Sequence, residues 1–184
     1  MPFKESEHPR DSRGRFVTKG GIGALILIAA LAAIGSGGSG AAMDEGGSWS
    51  RSGLEFSRQD HQAAGDCAAH AHGKVERYLR EHPCVRLYRA RFTGDDGHGH
   101  TMTVTTQVVT MPDTGQAAQL KRLVDRPGTG NIDKLGTDTA ATHFDSRRNS
   151  RTVVIAEAAP QIFDSVPAAL LDTAATAGAR LPAE

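Results

Sequence analysis

Residues 20–34, GGIGALILIAALAAI, carry no charged and no strongly polar side chain. Wound as a helix, Ile22, Leu25, Ile26, Leu27, Ile28, Leu31 and Ile34 cover every side of it. A helix that is apolar all round belongs deep in a protein or in a bilayer, because only there does no face meet water. The chain has 184 residues, room for one ordinary domain with appendages. Such a domain cannot easily bury an all-apolar helix at its own terminus, so the run divides the chain in three.

Five of the 21 basic residues (Lys4, Arg10, Arg13, Arg15, Lys19) and three of the 21 acidic ones (Glu5, Glu7, Asp11) precede the run. A basic flank is retained in the cytoplasm. The expected order is a basic cytoplasmic tail over 1–19, a transmembrane or signal-anchor helix over 20–35, a Gly/Ser-rich linker over 36–56 and an extracytoplasmic domain over 57–180. The expected localisation is the cell membrane, single-pass. Fifteen residues span about 22 Å as helix, against a hydrocarbon core of about 30 Å. Phe16 and Val17 lengthen the segment on one side, with Lys19 snorkelling to the headgroups; uncharged residues up to Met43 lengthen it on the other. Cleavage is the rival reading. Ala30-Leu31-Ala32 and Gly40-Ala41-Ala42 both fit the small-x-small rule, and cutting there releases a secreted soluble binding module. A buried helix of a soluble fold is the third reading.

The stretch GSGGSGAAMDEGGSWSRSG, residues 35–53, has the composition of a flexible tether. Trp49, the single tryptophan, is placed by this reading at the membrane interface, on the domain surface, or free in the tether. Beyond it the composition is globular. With 39% hydrophobic residues and 5% aromatics, the core must be built mainly from Val, Leu, Ile and Ala.

Ala64, Cys67, Ala68, Ala71, Val75, Tyr78 and Leu79 recur at helical spacing, and Pro83 ends the pattern. VRLYRARF (85–92) and HTMTVTTQVV (100–109) flank GDDGHG and read as a hairpin. Met102, Val104, Thr106 and Val108 point one way; Thr101, Thr103, Thr105 and Gln107 point the other, which predicts one buried and one polar sheet face. A second helix opens at Asp113 or Thr114, carries Ala117, Leu120, Leu123 and Val124, and closes at Arg126-Pro127-Gly128. A second hairpin is expected from Ala140 to Ala158, turning at Arg148-Asn149-Ser150, with RTVVIAEA as a central strand. A last helix starts near Asp164, with Pro167 in its first turn. The expected fold class is α+β, order α-β-β-α-β-β-α: a four-stranded antiparallel sheet with helices on one face. About 130 residues bury roughly two thirds of their chain surface.

Cys67 and Cys84 are the two cysteines. In an oxidising compartment a minimal even count favours a disulfide. One straight helix from Cys67 to Glu81 would hold them about 20 Å apart, whereas bridged α-carbons lie within about 4.4–6.8 Å. Either the helix begins only at Gly73, with CAAHAH folded back along it, or both thiols are buried and unpaired.

The blocks DCAAHAHGKVERYLREHPC, RLYRARF and LVDRPGTGNIDKL resemble a family of uncharacterised actinobacterial single-pass membrane-anchored proteins with a Cys…HPC frame and a GTGN loop. The resemblance spans about Asp66 to Val154. It implies the anchored topology, pairing of Cys67 with Cys84 and an extracytoplasmic α+β domain; it brings no activity. The DDGHGH hairpin tip is not part of it.

Arg89 and Arg91 project to the polar side of the sheet beside the Thr101, Thr103 and Thr105 row, a candidate patch for anionic groups such as envelope polymers or lipid headgroups; a plain solvated face is the bland alternative. Asp95, Asp96, His98 and His100 crowd one hairpin tip and are ligand types for zinc-like ions, although an Asp-Gly turn tolerates any polar residue. His70 and His72 share a face only if extended. Gly128-Thr129-Gly130-Asn131 could offer N–H groups to an anion, but lacks the lysine of a phosphate loop and reads first as a turn with positive φ at its glycines. Net charge is zero, which gives no argument for a nucleic-acid partner. No nucleophile elbow, HExxH or paired-carboxylate motif is present, though triads assemble in space rather than in sequence. The expectation is a membrane-anchored extracytoplasmic binding or interaction domain without a cofactor, with partners in the membrane (through residues 20–35), the envelope or another protein. A secreted module is the alternative, and a metal-dependent envelope enzyme comes third.

Overall fold

The computed structural model describes residues 47–136, 143–161 and 164–181. The chain divides into the units Met1–Gly38 and Ser39–Glu184, and the described residues all belong to the second. The anchor expected over 20–35 lies outside them. Among the described residues no helix is long and apolar enough to cross a membrane.

The strands are β1 (Ser48–Arg51), β2 (Leu54–Ala64), β3 (Arg86–Asp95), β4 (Thr101–Thr110), β5 (His143–Asn149) and β6 (Thr152–Pro160); the helices are α1 (Gly73–Glu81), α2 (Thr114–Val124) and α3 (Ala168–Gly178). All six strands join one antiparallel half-barrel sheet in the order β1-β2-β3-β4-β6-β5. This corrects the expected four-stranded sheet with helices on one face. Two strands were hidden, and the helices lie on both faces.

β1 sits inside the stretch read as tether. Trp49 is 5% exposed, stacked on Phe56 with ring centroids 4.1 Å apart and edge-on to Phe92. It is a core residue, not a membrane-interface one, and β1 and the start of β2 occupy part of the expected 36–56 linker. β2 escaped detection because only Leu54 and Phe56 alternate before the register slips between Arg58 and Asp60. Past that bulge the strand is exposed up to the half-buried Ala64, and its alanines continue numerically into the spacing of α1.

On one face of the sheet Leu87, Val109, Val153 and Ile155 pack beneath Val75 and Leu79 of α1 and Ala117 and Leu120 of α2. On the other, Ala90, Phe92, Met102, Val104 and Ala158 pack beneath Leu171, Ala174 and Ala177 of α3. The small residues of α3 let it sit close. A Cβ on Gly178 would lie 2.9 Å from Val104 Cγ1 and 3.0 Å from the Cβ of Ala156.

α2 starts as its sequence indicates, with the Asp113 carboxylate accepting the Gln116 N–H at 2.8 Å. Asp113→Ala is expected to cost about 1 kcal/mol in urea unfolding, with Asp113→Asn recovering most of it.

Cys67 and Cys84 form a disulfide with α-carbons 6.1 Å apart. A single 3-10 turn at Ala68–His70 and extended residues to His72 bring the chain back along α1, which begins at Gly73 with φ +71°. The fold-back resolves the length conflict of one continuous helix.

Candidate functional site

α1 has no side-chain cap at its N-terminus. Its first N–H groups are satisfied from elsewhere: the Thr129 carbonyl accepts from Lys74 at 2.7 Å and Val75 at 3.2 Å. The two segments are laced together on either side of that cap. His72 N–H donates to Asn131 O at 3.0 Å and Asp133 N–H to His70 O at 2.8 Å, and His72 Nδ1 lies 2.8 Å from an Asp133 carboxylate oxygen. Gly128 and Gly130 have φ of +77° and +90°, the left-handed turn expected of them. The loop thus presents a carbonyl, not a ring of N–H groups, to its partner; it is a helix cap rather than an anion cradle.

The far side of the same loop lands on the sheet. Asn131 Nδ2 donates to Glu157 Oε1 at 2.8 Å, and Lys134 Nζ lies 3.4 Å from Glu157 Oε2. Arg89 donates to Asp133 O at 3.1 Å and to Gln62 Oε1. Gly136 passes over Arg91: a Cβ there would sit 4.0 Å from the guanidinium carbon.

Two cross-strand rows lie beneath this roof. One runs Gln62, Arg89, Gln107, Ile155, Ser146 and the next Asp60, Arg91, Thr105, Glu157, Phe144. The middle of the face read as solvated is therefore covered, while Asp60, Gln62 and Phe144 at its ends are exposed. Arg89 is 7% exposed, Thr105 2%, Gln107 0% and Glu157 9%, while Arg91 is half-buried. Arg89 Nε, Arg91 Nε, Thr105 Oγ1 and both ends of the Gln107 amide are buried without a hydrogen-bond partner among the described residues. Interiors rarely leave such atoms unpaired. Burial pushes the Arg89 pKa down while the Asp133 carboxylate pulls it up; a guanidinium remains a cation in a protein interior.

Sequence reasoning had placed Arg89 and Arg91 on one polar face with Thr105, and they do share it. It missed Gln62, Asn131, Lys134, Glu157 and Phe144 as neighbours. One signal was available: Glu157 is the polar interruption of the otherwise apolar run VVIAEAA, and Gln107 stands directly before Val108-Val109. An unpaired buried amide costs about 1–3 kcal/mol. Gln107→Met, similar in volume and apolar, is expected to raise stability by about 1–2 kcal/mol in urea unfolding; a loss of stability would mean that the amide is already satisfied.

The hairpin tip is organised differently. Asp95 accepts from Gly97 N–H at 2.6 Å, and Asp96 accepts from the N–H groups of His98 and His100 at 2.8 and 3.1 Å. Asp96 also pairs with His100 Nδ1 at 2.7 Å. The hydrogen bond from His100 leads in pushing the Asp96 carboxyl down to about 2. These carboxylates hold the turn. Among the described residues no group of three His, Cys, Asp or Glu is placed to hold a metal ion. Away from this face, a groove of about 700 Å³ opens beside the disulfide; its charged lining groups are Asp66, Glu76 and Arg80, the last two paired at 2.5 Å.

No family model, no curated protein and no solved structure matches this chain, so the site is read from its own geometry.

Proposed function

We infer that the domain is an outward-facing binding module, held at the cell membrane by residues 20–35, which recognises an anionic group of an envelope component or partner through Arg89 and Arg91. One observation carries the reading: both guanidiniums keep a buried Nε without a partner among the described residues, side by side on one sheet face. A domain with only a structural task gains by filling such a face with apolar side chains, since an unpaired buried donor costs stability. Arg–oxyanion contacts are charge-assisted and short, about twice as strong as neutral hydrogen bonds. The Cys67–Cys84 bridge accords with an oxidising compartment, as does the basic flank before the apolar run.

The binding test is calorimetric titration of the purified full-length chain in detergent with inorganic phosphate and with acetate. Saturable binding of either that disappears in an Arg89→Gln, Arg91→Gln double variant supports the reading; absence of binding to both sinks it. The topology test is proteolysis of a C-terminal tag on intact cells, where survival of the tag overturns the outward orientation. The small-x-small sequences keep a secreted module as the second reading, and a mature N-terminus at Ala33 or Met43 would establish it. The metal-dependent enzyme drew on the hairpin tip, whose carboxylates already serve the turn.

A further inference from the structure

We propose that the Cys67–Cys84 bridge is a redox latch on the loop that covers Arg89 and Arg91, opened by a dithiol reductant that attacks Cys84 from the groove. Its purpose rests on the anion-binding reading; its test does not, because exposure of the arginines is measured without a ligand.

The two sulfurs differ in access. Cys67 is 2% exposed and packs among Val75 and Leu79. Cys84 is half-buried and lines the groove of about 700 Å³ beside Pro83. Val85, next in the chain, is 55% exposed. A thiolate entering the groove therefore meets Cys84, and accessible bridges are the labile ones. The thiolate bonds to Cys84 Sγ, the S–S bond breaks, and its electron pair leaves on Cys67 Sγ, which takes up a proton. The second thiolate of the reductant then displaces the Cys84 sulfur. That closes the reductant's own disulfide and leaves Cys84 as a thiol, so two electrons pass from the dithiol to the bridge. The reduced Cys84 has an acceptor in place, the Gly65 carbonyl 3.5 Å from its sulfur. A buried sulfur leaves reluctantly as a thiolate, so a dithiol, whose second thiol completes the reduction, suits this bridge better than a monothiol.

The bridge reaches the arginines through one chain of contacts. Residues 67–72 are held at both ends, Cys67 by the bridge and His72 by the start of α1. Between these ends His70 and His72 ladder with Asp133 and Asn131, and Ala71 pairs with Ile132. Residues 131–136 in turn lie on the sheet: Asn131 and Lys134 hold Glu157, the Asp133 carbonyl accepts from Arg89, and Gly136 passes over Arg91. Cutting the bridge frees one end of 67–72, so the ladder that seats the cover loses its fixed partner. The cover then opens by local unfolding while the strands beneath keep their register. Closed, it keeps Arg89 Nε and Arg91 Nε out of reach of solvent; open, it admits an oxyanion to both.

Full-length protein in detergent, with and without dithiothreitol, is labelled with phenylglyoxal, which modifies accessible guanidiniums, and each arginine is read by mass spectrometry. Arg89 is expected to label at least about tenfold faster after reduction, the scale on which a lost loop closure shifts a local opening. Arg122, exposed on α2, should label at an unchanged rate. The Cys67→Ala, Cys84→Ala variant should label at the fast rate without reductant. Glutathione, with iodoacetamide to trap the released thiol, should leave its adduct on Cys84 and the alkyl group on Cys67; the reverse pattern overturns attack through the groove. Equal Arg89 rates in the two redox states overturn the latch. So does amide exchange at Leu120 that accelerates as much as the Arg89 labelling, since the whole domain would then be unfolding. Inorganic phosphate that binds both redox states equally through these arginines overturns the latch and leaves anion recognition standing. Faster labelling with no phosphate binding in either state supports the latch and sinks the anion reading.

Discussion

Gly130→Ala is expected to cost about 3–5 kcal/mol, enough to unfold a domain of ordinary stability. Gly130 has φ +90°, a conformation that is costly for a residue with a Cβ. The added carbon would lie 2.0 Å from the His72 carbonyl oxygen and 2.7 Å from its carbon. Both are backbone atoms, so no rotamer change relieves the clash. Backing the loop away breaks the Thr129 carbonyl cap on Lys74 and Val75 and the ladder between His70–His72 and Asn131–Asp133. Gly128→Ala is the control. It also has positive φ, but a Cβ there meets nothing within 4 Å, so about 1 kcal/mol is expected from strain alone. Urea unfolding of the two variants separates conformational strain from contact. Equal costs would show that the Gly73–Gly130 approach does not hold the loop.

Opening the disulfide is the second large effect. Cys67 and Cys84 are 17 residues apart, and closing a loop of that length contributes roughly 3 kcal/mol on the chain-entropy model. The Cys67→Ala, Cys84→Ala pair should lower stability by about that amount, with an added packing loss because Cys67 is buried among Val75 and Leu79. The consequence extends beyond the bridge. It holds the 3-10 turn against α1, and the residues following that turn are laced to 129–133, the loop whose other side carries Asn131 to Glu157 and Asp133 to Arg89. Amide exchange at Lys74 and Val75 in the double variant should accelerate more than at Leu120, in the middle of α2. If unfolding of the native protein in reductant matches that without it to within about 0.5 kcal/mol, the bridge contributes nothing to this frame.

The clamp explains why two blocks far apart in the chain belong together. The Cys…HPC frame supplies α1 and its fold-back; the GTGN loop supplies the cap that α1 lacks. Neither block has its backbone groups satisfied without the other, and backbone groups left unpaired in an interior are costly. The Arg89–Glu157 face lies on the far side of this junction, so the elements that stabilise the domain also position Asn131 and Asp133 above the sheet.

The parts of this fold legible in the sequence are those decided within a dozen residues. The hairpins around GDDGHG and Asn149-Ser150 and the Asp113 cap follow from turn chemistry, side-chain capping and a period of two or 3.6; the helix start at Gly73 was one of two open readings, decided by the Thr129 carbonyl that caps it from across the chain. β1 and β2 were not legible, because Trp49 is held in a strand by Phe56 and Phe92 rather than by local propensity, and β2 loses its alternation at a bulge. The row Arg91, Thr105, Glu157 was half legible: alternation placed Arg91 and Thr105 on one face but brought in neither Glu157 nor the cover over that face. A strand's period reports which side chains point together. Whether they meet water depends on what another part of the chain lays over them, here the 129–136 loop, drawn across the sheet by the unsatisfied N-terminus of α1.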